Sequence, residues 1–400
     1  MQFTADADNF REAYKLVVRA VGKKSAYPAL TQVLIDANGN RVVLCATDND
    51  VTVCAEVLGC TILLPGKGLI SPALMKEVVK ALKDGEVDVG SKSASDRRVT
   101  IGSANVSSPT IVDPLEFPAH LPLKYEAFSS SQFVVNTADF AYAVSFAFPA
   151  VSTDDGRPNL TGVFLQATDP DKVTAVATDG HRMGLCSMRG SSAGVKDGII
   201  IPKRSCELLL KIVTGIETTL TVEGSSVYCH TRPAGNRGNV WCQLRLIEAS
   251  FPDFRRVLPN TATAAGPRFA PFSCADLTEA VTAIVVEEKA ALKALGGNDK
   301  SMIRAVSVEG REGFGFSSSA AERLLSEGET TTVAFLASPQ IKAGTIKAGF
   351  NPGYWTDLCG VLRENTASIA VIDALSPVTI TPETGLPDVT ITAIVMPMRL

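Results

Sequence analysis

Short stretches in which apolar and polar residues alternate occupy much of this chain, and turn-forming residues separate them. Residues 33–45 predict a β-hairpin, because alternating segments flank the turn pair Asn38 and Gly39. Residues 163–175 repeat this pattern. More strands are predicted in three later segments, 86–90, 218–231 and 368–381. The alternation therefore predicts a chain rich in short strands.

Two helical patterns interrupt these strands, and each occurs three times. The first pattern follows a short strand in residues 2–10, 132–140 and 268–277. Its predicted N-caps are Asp8, Thr137 and Ser273. The second pattern has proline in its first turn, where the missing N–H costs nothing, in residues 71–82, 201–212 and 351–362. This recurrence predicts one unit repeated three times, with an insertion in the third copy at 289–300.

The repeats predict three domains, at 1–127, 128–260 and 261–400. The predicted linkers are the serines at 129–131 and the Ala/Thr/Gly-rich residues 260–267. Each domain should be α+β, with two helices and roughly eight short strands. Three copies of one unit in a single chain predict a pseudo-symmetric assembly.

The composition is that of ordinary globular cores, with 46% hydrophobic and 20% charged residues. No apolar run reaches the ~18 residues of a membrane-spanning helix, and residues 1–6 lack the features of a signal peptide. The nine cysteines form no Cys-x-x-Cys pair. Because Cys45, Cys54 and Cys229 lie in apolar runs, we expect buried, reduced cysteines and a cytoplasmic protein.

The net charge of -4 and the pI of about 5.6 taken alone argue against nucleic acid as a partner. Basic residues nevertheless recur on the predicted helices and on the loop after the first one, at Arg11, Lys15, Arg19, Lys23, Lys24, Lys76, Lys80, Lys83, Lys203, Arg204 and Lys211. A solvated face explains most single basic stripes, but recurrence on equivalent helices favours a surface that faces a polyanion. The third repeat offers only Arg363 there. No aromatic residues are interleaved, which favours contact with phosphates over base stacking.

A strand followed by a sharp turn, at residues 174–183, carries the most distinctive polar residues. Asp179 and His181 could act as an acid/base pair or as metal ligands. Alternatively, Asp179 caps the turn and His181 packs at its edge, since no further His, Cys or carboxylate cluster completes a site. A pocket for a protein partner is the third hypothesis.

Three segments together resemble the bacterial DNA polymerase III β subunit family, the sliding clamps: 177–183, 251–259 and 395–400. Residues 349–351 fit the same pattern. The resemblance covers all three repeats and implies an α+β fold with two helices inward and antiparallel sheets outward in each domain. It also implies that two chains close head-to-tail into a six-domain ring around duplex DNA.

The resemblance further implies a pocket for partner peptides, formed by Leu160, Thr178, Gly180, His181, Arg182, Met183, Pro252, Arg256, Val257, Tyr354, Leu375, Pro377, Ile394, Met396, Pro397, Met398 and Arg399. Leucine, valine and methionine side chains would form an apolar floor that repacks around different partners. Two places depart from the family pattern. Pro158 and Asn159 stand where clamps often carry aromatic residues near DNA, and Phe254 lacks the more usual hydroxyl.

The sequence thus predicts a non-enzymatic processivity factor that encircles double-stranded DNA, with no catalytic residue, metal or cofactor. The partners implied are a second copy, the replicative DNA polymerase III, the clamp loader, translesion polymerases and mismatch-repair proteins. The expected location is cytoplasmic, with the nucleoid. Two alternatives stay open: a hydrolase that uses Asp179 and His181, and a clamp paralogue that binds partners without loading on DNA.

Overall fold

Antiparallel strand pairing organises the computed structural model of this chain. It describes residues 1–22, 25–91, 98–102, 104–107, 113–118, 131–195, 197–232, 238–258, 272–296, 303–306, 313–318, 333–337, 347–362, 366–370, 375–383 and 386–398. Several predicted features lie outside these residues: Lys23, Lys24, Arg363, Arg399, most of the first linker and the whole of the second.

The α-helices of the described residues are α1 (Ala7–Val17), α2 (Pro72–Ala81), α3 (Thr137–Ala147), α4 (Lys203–Ile212), α5 (Cys274–Ala294) and α6 (Pro352–Val361). All six follow the two predicted helical patterns. Ser273 caps α5 as predicted, because its hydroxyl accepts hydrogen bonds from the N–H groups of Ala275 and Asp276. No helix among the described residues is long and apolar enough to cross a membrane.

Two of the predicted N-caps were wrong by a residue or two. Asp6, not Asp8, accepts from the N–H of Asn9 at 2.9 Å and begins α1. Asn136, not Thr137, accepts from the first N–H groups of α3. Both true caps end a strand, β1 or β10, so each helix begins one or two residues earlier than the sequence pattern placed it. The predicted insertion also begins inside α5, which continues in regular helix to Ala294.

The strands of the first half of the chain are β1 (Gln2–Asp6), β2 (Val33–Asn38), β3 (Arg41–Thr47), β4 (Val51–Val57), β5 (Thr61–Leu64), β6 (Gly66–Ile70), β7 (Glu86–Gly90), β8 (Arg98–Ile101), β9 (Ala104–Ser107), β10 (Gln132–Asn136), β11 (Gly162–Asp169), β12 (Lys172–Thr178), β13 (Arg182–Ala193) and β14 (Ile199–Pro202). Those of the second half are β15 (Glu217–Glu223), β16 (Ser226–Arg232), β17 (Val240–Arg245), β18 (Phe272–Ser273), β19 (Ile303–Val306), β20 (Gly313–Ser318), β21 (Val333–Ala337), β22 (Lys347–Phe350), β23 (Thr366–Ala370), β24 (Val378–Pro382) and β25 (Val389–Val395). The predicted hairpins are β2–β3 and β11–β12.

The same strand-helix arrangement recurs three times, as the repeats predicted. The strand before the first helix is β1, β10 or β18, and it pairs antiparallel with the strand that follows the second helix, β7, β15 or β23. Phe3 and Phe133, at equivalent places in β1 and β10, are fully buried. The repeat is therefore a structural unit, while the three domain boundaries stay predictions.

Contacts divide the chain into two units, and unit 1 comprises Met1–Ala141, Gln166–Val173 and Arg189–Glu248. One of its sheets has the order β5-β1-β7-β8-β9. A second follows the order β10-β15-β16-β17-β4-β3-β2-β6, in which β17 of the second repeat pairs with β4 of the first. Its apolar core includes a cluster of Leu34, Val43, Cys45, Cys54, Leu69, Phe117 and Trp241. The predicted burial of Cys45, Cys54 and Cys229 is confirmed.

Unit 2 comprises Tyr142–Leu165, Thr174–Met188 and Ala249–Leu400. One sheet has the order β18-β23-β24-β25, and β25 also pairs with the first part of β13, Arg182 opposite Val395. A four-stranded sheet has the order β21-β20-β19-β22. Trp355 and Phe350, fully buried, meet edge-to-face with ring centroids 5.7 Å apart. The predicted α+β fold with antiparallel sheets is thus confirmed.

The close approach of Gly238 to β4 gives a stability prediction. A Cβ at Gly238 would clash with the carbonyl oxygen of Glu56, so Gly238→Ala must displace backbone next to the β4–β17 ladder. We expect a loss of about 1–3 kcal/mol in the free energy of unfolding, measured by urea denaturation. The matched control is Gly90→Ala in β7, whose nearest neighbour would be 3.8 Å away. Equal stability of the two variants would contradict the prediction.

Candidate functional sites: an apolar pocket and basic helix faces

The turn after β12 is held by its own side chains. Gly180 has φ +92°, a backbone conformation that glycine adopts without strain. Thr178 Oγ1 donates to the carbonyl of Arg182 at 2.7 Å and accepts from the N–H of Gly180 at 3.1 Å. One carboxylate oxygen of Asp179 accepts from the N–H groups of His181 and Arg182, at 2.9 and 3.0 Å. Asp179 is therefore a turn cap, which disfavours the acid/base hypothesis.

Arg182 is held by two carboxylates and one aromatic ring. Its Nε donates to Asp179 Oδ2 at 3.1 Å, and its Nη1 donates to Asp357 Oδ2 at 2.6 Å. The guanidinium carbon lies 4.6 Å from the ring centroid of Tyr354, a cation–π distance. The side chain is only 16% exposed, so these contacts act where water screens them less than at an open surface. They fix the guanidinium over the ring.

Tyr354 also stacks on the exposed ring of His181, with centroids 6.4 Å apart and planes 15° from parallel. Burial, and next the negative charge of Asp179, raise the pKa of Tyr354 above its ordinary value of 10.0. The Arg182 charge and a hydrogen bond with Asn351 act in the opposite direction on this pKa. The hydroxyl stays protonated at neutral pH and remains available as a donor.

An apolar pocket lies beside this cluster within unit 2. Its lining comes from α3 and the residues after it, β13, α6 and β25: Phe146, Pro149, Ala150, Arg182, Met183, Gly184, Tyr354, Leu358, Val361, Ala393, Ile394 and Val395. The pocket has a volume of only about 30 Å³. This space is too small for a large apolar side chain of a partner unless a lining group moves. Arg182 and Tyr354 are the polar residues of the lining.

Gly184 explains how β13 comes so close to α3. A Cβ there would lie 3.0 Å from both the Cα of Ala147 and the carbonyl oxygen of Phe146. No larger residue fits without moving backbone.

The structure brings only some of the sequence-predicted residues into this pocket. Four of them line it directly, namely Arg182, Met183, Tyr354 and Ile394. Thr178, Gly180 and His181 form the adjoining turn. The segment Met396, Pro397 and Met398 is half-buried and passes the turn, since the Met396 N–H donates to the carbonyl of His181 at 2.8 Å. The Met398 N–H donates to the carbonyl of Gly349 at 2.7 Å.

The other predicted residues are not among the lining groups. Leu160 is buried at the end of a short 3-10 turn, Pro158–Leu160. Pro252, Arg256 and Val257 are exposed around a second 3-10 turn, Phe254–Val257. Leu375 is 77% exposed and Pro377 is half-buried. Phe254 itself is buried, and its ring centroid lies 6.5 Å from that of Phe164, which in turn stacks on Phe251. The surroundings of the ring are aromatic, which suits a side chain without a hydroxyl.

Of the pocket residues on α3 and α6, only Tyr354 was predicted from the sequence. Phe146, Leu358 and Val361 belong to ordinary apolar helical faces, and nothing in the sequence distinguishes them from core positions. Gly184, Ala393 and Val395 carried a usable signal, since they lie in the same strands as the predicted Met183 and Ile394.

Many of the predicted basic residues of unit 1 have carboxylate partners. Arg11 pairs with Asp8, and its side chain also donates to the carbonyls of Val79 and Leu82. Other pairs join Lys15 to Glu12 at 2.7 Å, Lys80 to Glu77 at 3.5 Å, and Arg204 to Asp48. Arg19, Lys76, Lys83 and Lys211 are exposed and have no carboxylate partner among the described residues. Lys203 is the first residue of α4. The positive charge on these helix faces is thus more compensated by neighbouring carboxylates than the sequence suggested.

Among the described residues, no group of three or more His, Cys, Asp or Glu side chains is placed to hold a metal ion.

Comparison with known proteins identifies what the chain is similar to. Residues 1–122 match the family model described as DNA polymerase III beta subunit, N-terminal domain, and residues 134–253 match that of the central domain. The beta sliding clamp of Caulobacter vibrioides is 26% identical over 388 residues, 94% of this chain and 95% of that protein.

Two solved structures share the fold over the whole chain. The β subunit of the DNA polymerase of Streptococcus pyogenes has a TM-score of 0.81 at 18% identity, with 100% of both chains covered. The DNA polymerase sliding clamp of Bacillus subtilis has a TM-score of 0.78 at 21% identity, covering 100% of this chain and 99% of that one.

The charges around Tyr354 give a pH prediction. Arg182→Gln removes the positive charge that lowers the pKa of Tyr354, so this pKa should rise further. Folding raises the pKa of Tyr354. The contribution of this shift to the free energy of unfolding is therefore complete below about pH 10, and it is lost as the pH rises through the pKa of the folded state. A pH titration of the tyrosine ring carbon signals by NMR measures the shift. Lys289→Gln on α5, the same charge change outside this cluster, should leave it unchanged.

Proposed function

Because the chain belongs to the DNA polymerase III β subunit family, the sliding clamps, we propose that it works as a replication processivity factor that encircles double-stranded DNA. The single observation that carries this proposal is the match of both family models along a thrice-repeated fold. No catalytic step is needed, because enclosing the duplex keeps a tethered polymerase near the primer end at high effective concentration.

The proposed active form is a ring of two chains, each with domains at 1–127, 128–260 and 261–400. Free sheet edges support it, and two of them lie in different units. In the described part of the chain, β9 pairs only with β8 and β21 only with β20, so each ends its sheet. One edge belongs to unit 1 and the other to unit 2. An edge strand left unpaired invites pairing with another chain, and two different edges suit a head-to-tail contact that closes by symmetry.

The proposed contact with DNA is through phosphates and independent of sequence. Exposed cations on α1, α2 and α4 would attract the backbone, and screened attraction of this kind permits sliding. Asn159 and Pro158 offer no aromatic ring for stacking.

The pocket of unit 2, with the adjoining turn and the segment 396–399, is the proposed tether for partners. The partners proposed are the replicative DNA polymerase III, the clamp loader, translesion polymerases and mismatch-repair proteins. Each would insert a short peptide that carries a glutamine and bulky apolar residues. The proposed site extends beyond the groups that line the pocket. The apolar end of the peptide would bury against Leu160, Val257 and Met396, while His181, Arg182 and Arg256 would supply donors at the rim. The site of action would be the cytoplasm, at the nucleoid.

A clamp paralogue that binds partners but does not load on DNA is the second candidate, which the paired charges of Arg11, Lys15 and Lys80 favour. Loading separates the two candidates.

Retention on DNA tests the proposed enclosure. Once loaded by a clamp loader on nicked circular DNA, the protein should stay bound in moderate salt and leave when the circle is linearised, because only topology holds it. Gel filtration of the loaded complex, with and without the cutting enzyme, gives the measurement. Light scattering should give twice the 42.2 kDa chain mass. Tight, sequence-selective binding to a short linear duplex would refute enclosure.

Removal of residues 396–400 tests the tether. Burial of two large apolar side chains is worth about 3–6 kcal/mol before ordering costs, so peptide affinity should be micromolar at best and the loss of one wall should abolish it. Calorimetry with a Gln-containing apolar peptide measures the effect. The combined Met396→Ala and His181→Ala change should weaken binding less. Leu386→Ala, at an exposed leucine outside the pocket, is the control. Unchanged affinity in the truncated protein would mean that the pocket is elsewhere, and loss of the dimer would mean that the tail is structural.

A further inference from the structure

A charged cleft of about 550 Å³ lies in unit 1 between the end of α1 and the helix α4. Its walls include Arg19, Val51, Arg204, Glu207, Leu208 and Lys211. Ala20, Val21, Val51 and Leu208 are its apolar lining residues, and the other four are charged. The cleft therefore brings together cations from the first and second repeats.

The three cations of the cleft, Arg19, Arg204 and Lys211, differ in the partners that they already have. Arg204 forms an ion pair with Asp48, whose other carboxylate oxygen accepts from the N–H groups of Asp50 and Val51 at 3.1 and 2.9 Å. Asp48 is thus a fixed carboxylate, and the charge of Arg204 is compensated.

Among the described residues, backbone carbonyls alone accept hydrogen bonds from the Arg19 side chain. Its Nε donates to the carbonyl of Lys15 at 3.1 Å, and its Nη1 lies 3.5 Å from the carbonyl oxygen of Lys211. Carbonyl acceptors orient a guanidinium but carry no net charge to cancel it. Lys211, exposed at the end of α4, has no carboxylate partner among the described residues. These two residues therefore bring uncompensated charge to one side of the cleft.

We infer that Arg19 and Lys211 together contact one backbone phosphate of duplex DNA at this cleft. The inference rests on the proposed function and names which basic residues carry it. A phosphate approaching Lys15 or Lys80 also approaches Glu12 or Glu77, so the attraction there is largely cancelled. A phosphate at Arg19 meets positive charge and a bidentate donor that suits phosphate oxygens.

Glu207 opposes this contact, because it is the one carboxylate residue among the cleft-lining residues. It is one helical turn before Lys211 but forms no ion pair with it among the described residues. Asp48 and Asp50 are the other carboxylates nearby, and they pair with Arg204 and Arg245. Removing the charge of Glu207 should therefore strengthen DNA binding, the opposite of removing either cation.

Fluorescence anisotropy of a labelled 20-base-pair duplex across a salt series tests the inference. Each phosphate contact contributes about 0.9 to the slope of log affinity against log salt, so Arg19→Ala and Lys211→Ala should each reduce the slope by about one. Lys15→Ala should change it less, and Glu207→Gln should raise affinity at low salt. Arg19→Lys keeps the charge and should keep most of the slope. Lys172→Ala, at the exposed lysine that begins β12, is the charge-matched control.

The outcomes separate this inference from the proposed function. If the unmodified protein showed no salt-dependent affinity and no retention on circular DNA, the proposed function would be wrong. If it bound DNA with a clear salt slope but Arg19→Ala and Lys211→Ala matched Lys172→Ala, the cleft would not be the contact. An equal loss in Lys15→Ala would also overturn the inference, because paired and unpaired cations would then be equivalent. Thermal unfolding of each variant confirms that it is folded.

Discussion

The pairing of β4 with β17 is the constraint on which unit 1 depends. Five residue pairs join these strands, from Val240 opposite Ala55 to Leu244 opposite Val51, so one sheet continues from the first repeat into the second. The end of the ladder is reinforced by Glu56, whose N–H donates to the carbonyl of Asn239 and whose carboxylate accepts from the Asn239 side chain at 2.7 Å. Backbone hydrogen bonds of this kind set the distance between repeats far more strictly than apolar contacts, because they tolerate little change in length or angle. The cleft between α1 and α4 exists because this ladder holds the repeats in register.

In unit 2 a few short hydrogen bonds give the pocket its shape. Asp179 binds backbone N–H groups with one oxygen and Arg182 with the other, so a single carboxylate fixes both the turn and the guanidinium. Asp357 then holds the far side of Arg182. The consequence is a mostly apolar pocket whose lining includes one arginine and one tyrosine held in place. Asp179, a candidate catalytic group in the sequence, thus has a structural role at the turn beside the pocket.

On the basic helix faces too, neighbouring side chains decide what a charged residue does. A stripe of lysines and arginines on a helix suggests a strong positive potential. Carboxylates one turn away decide how much of that charge is left uncompensated at the surface. In α1 and α2 those neighbours are Asp8, Glu12 and Glu77, and they pair with the cations beside them. Exposed pairs of this kind contribute little to stability, yet they remove net charge where a polyanion would approach. In a chain with an acidic pI, a local positive field remains only where cations have no such neighbours.

Local patterns in the sequence determined the repeat, the six helices of the described residues and about half of the strands, because periodicity, proline at a first turn and Asn-Gly turns act over a few residues. Family-like segments marked the turn at Asp179 and the C-terminal residues in the same way. The N-caps of α1 and α3 were misplaced because several polar residues compete at each helix start, and only the backbone geometry selects Asp6 and Asn136. The tertiary structure alone decided which side chains meet: Phe146 and Leu358 reach the pocket, Arg182 joins Asp357, and Arg19 faces Lys211. Such contacts join residues far apart in the chain, and their distances follow from strand register and helix packing, which no local pattern encodes.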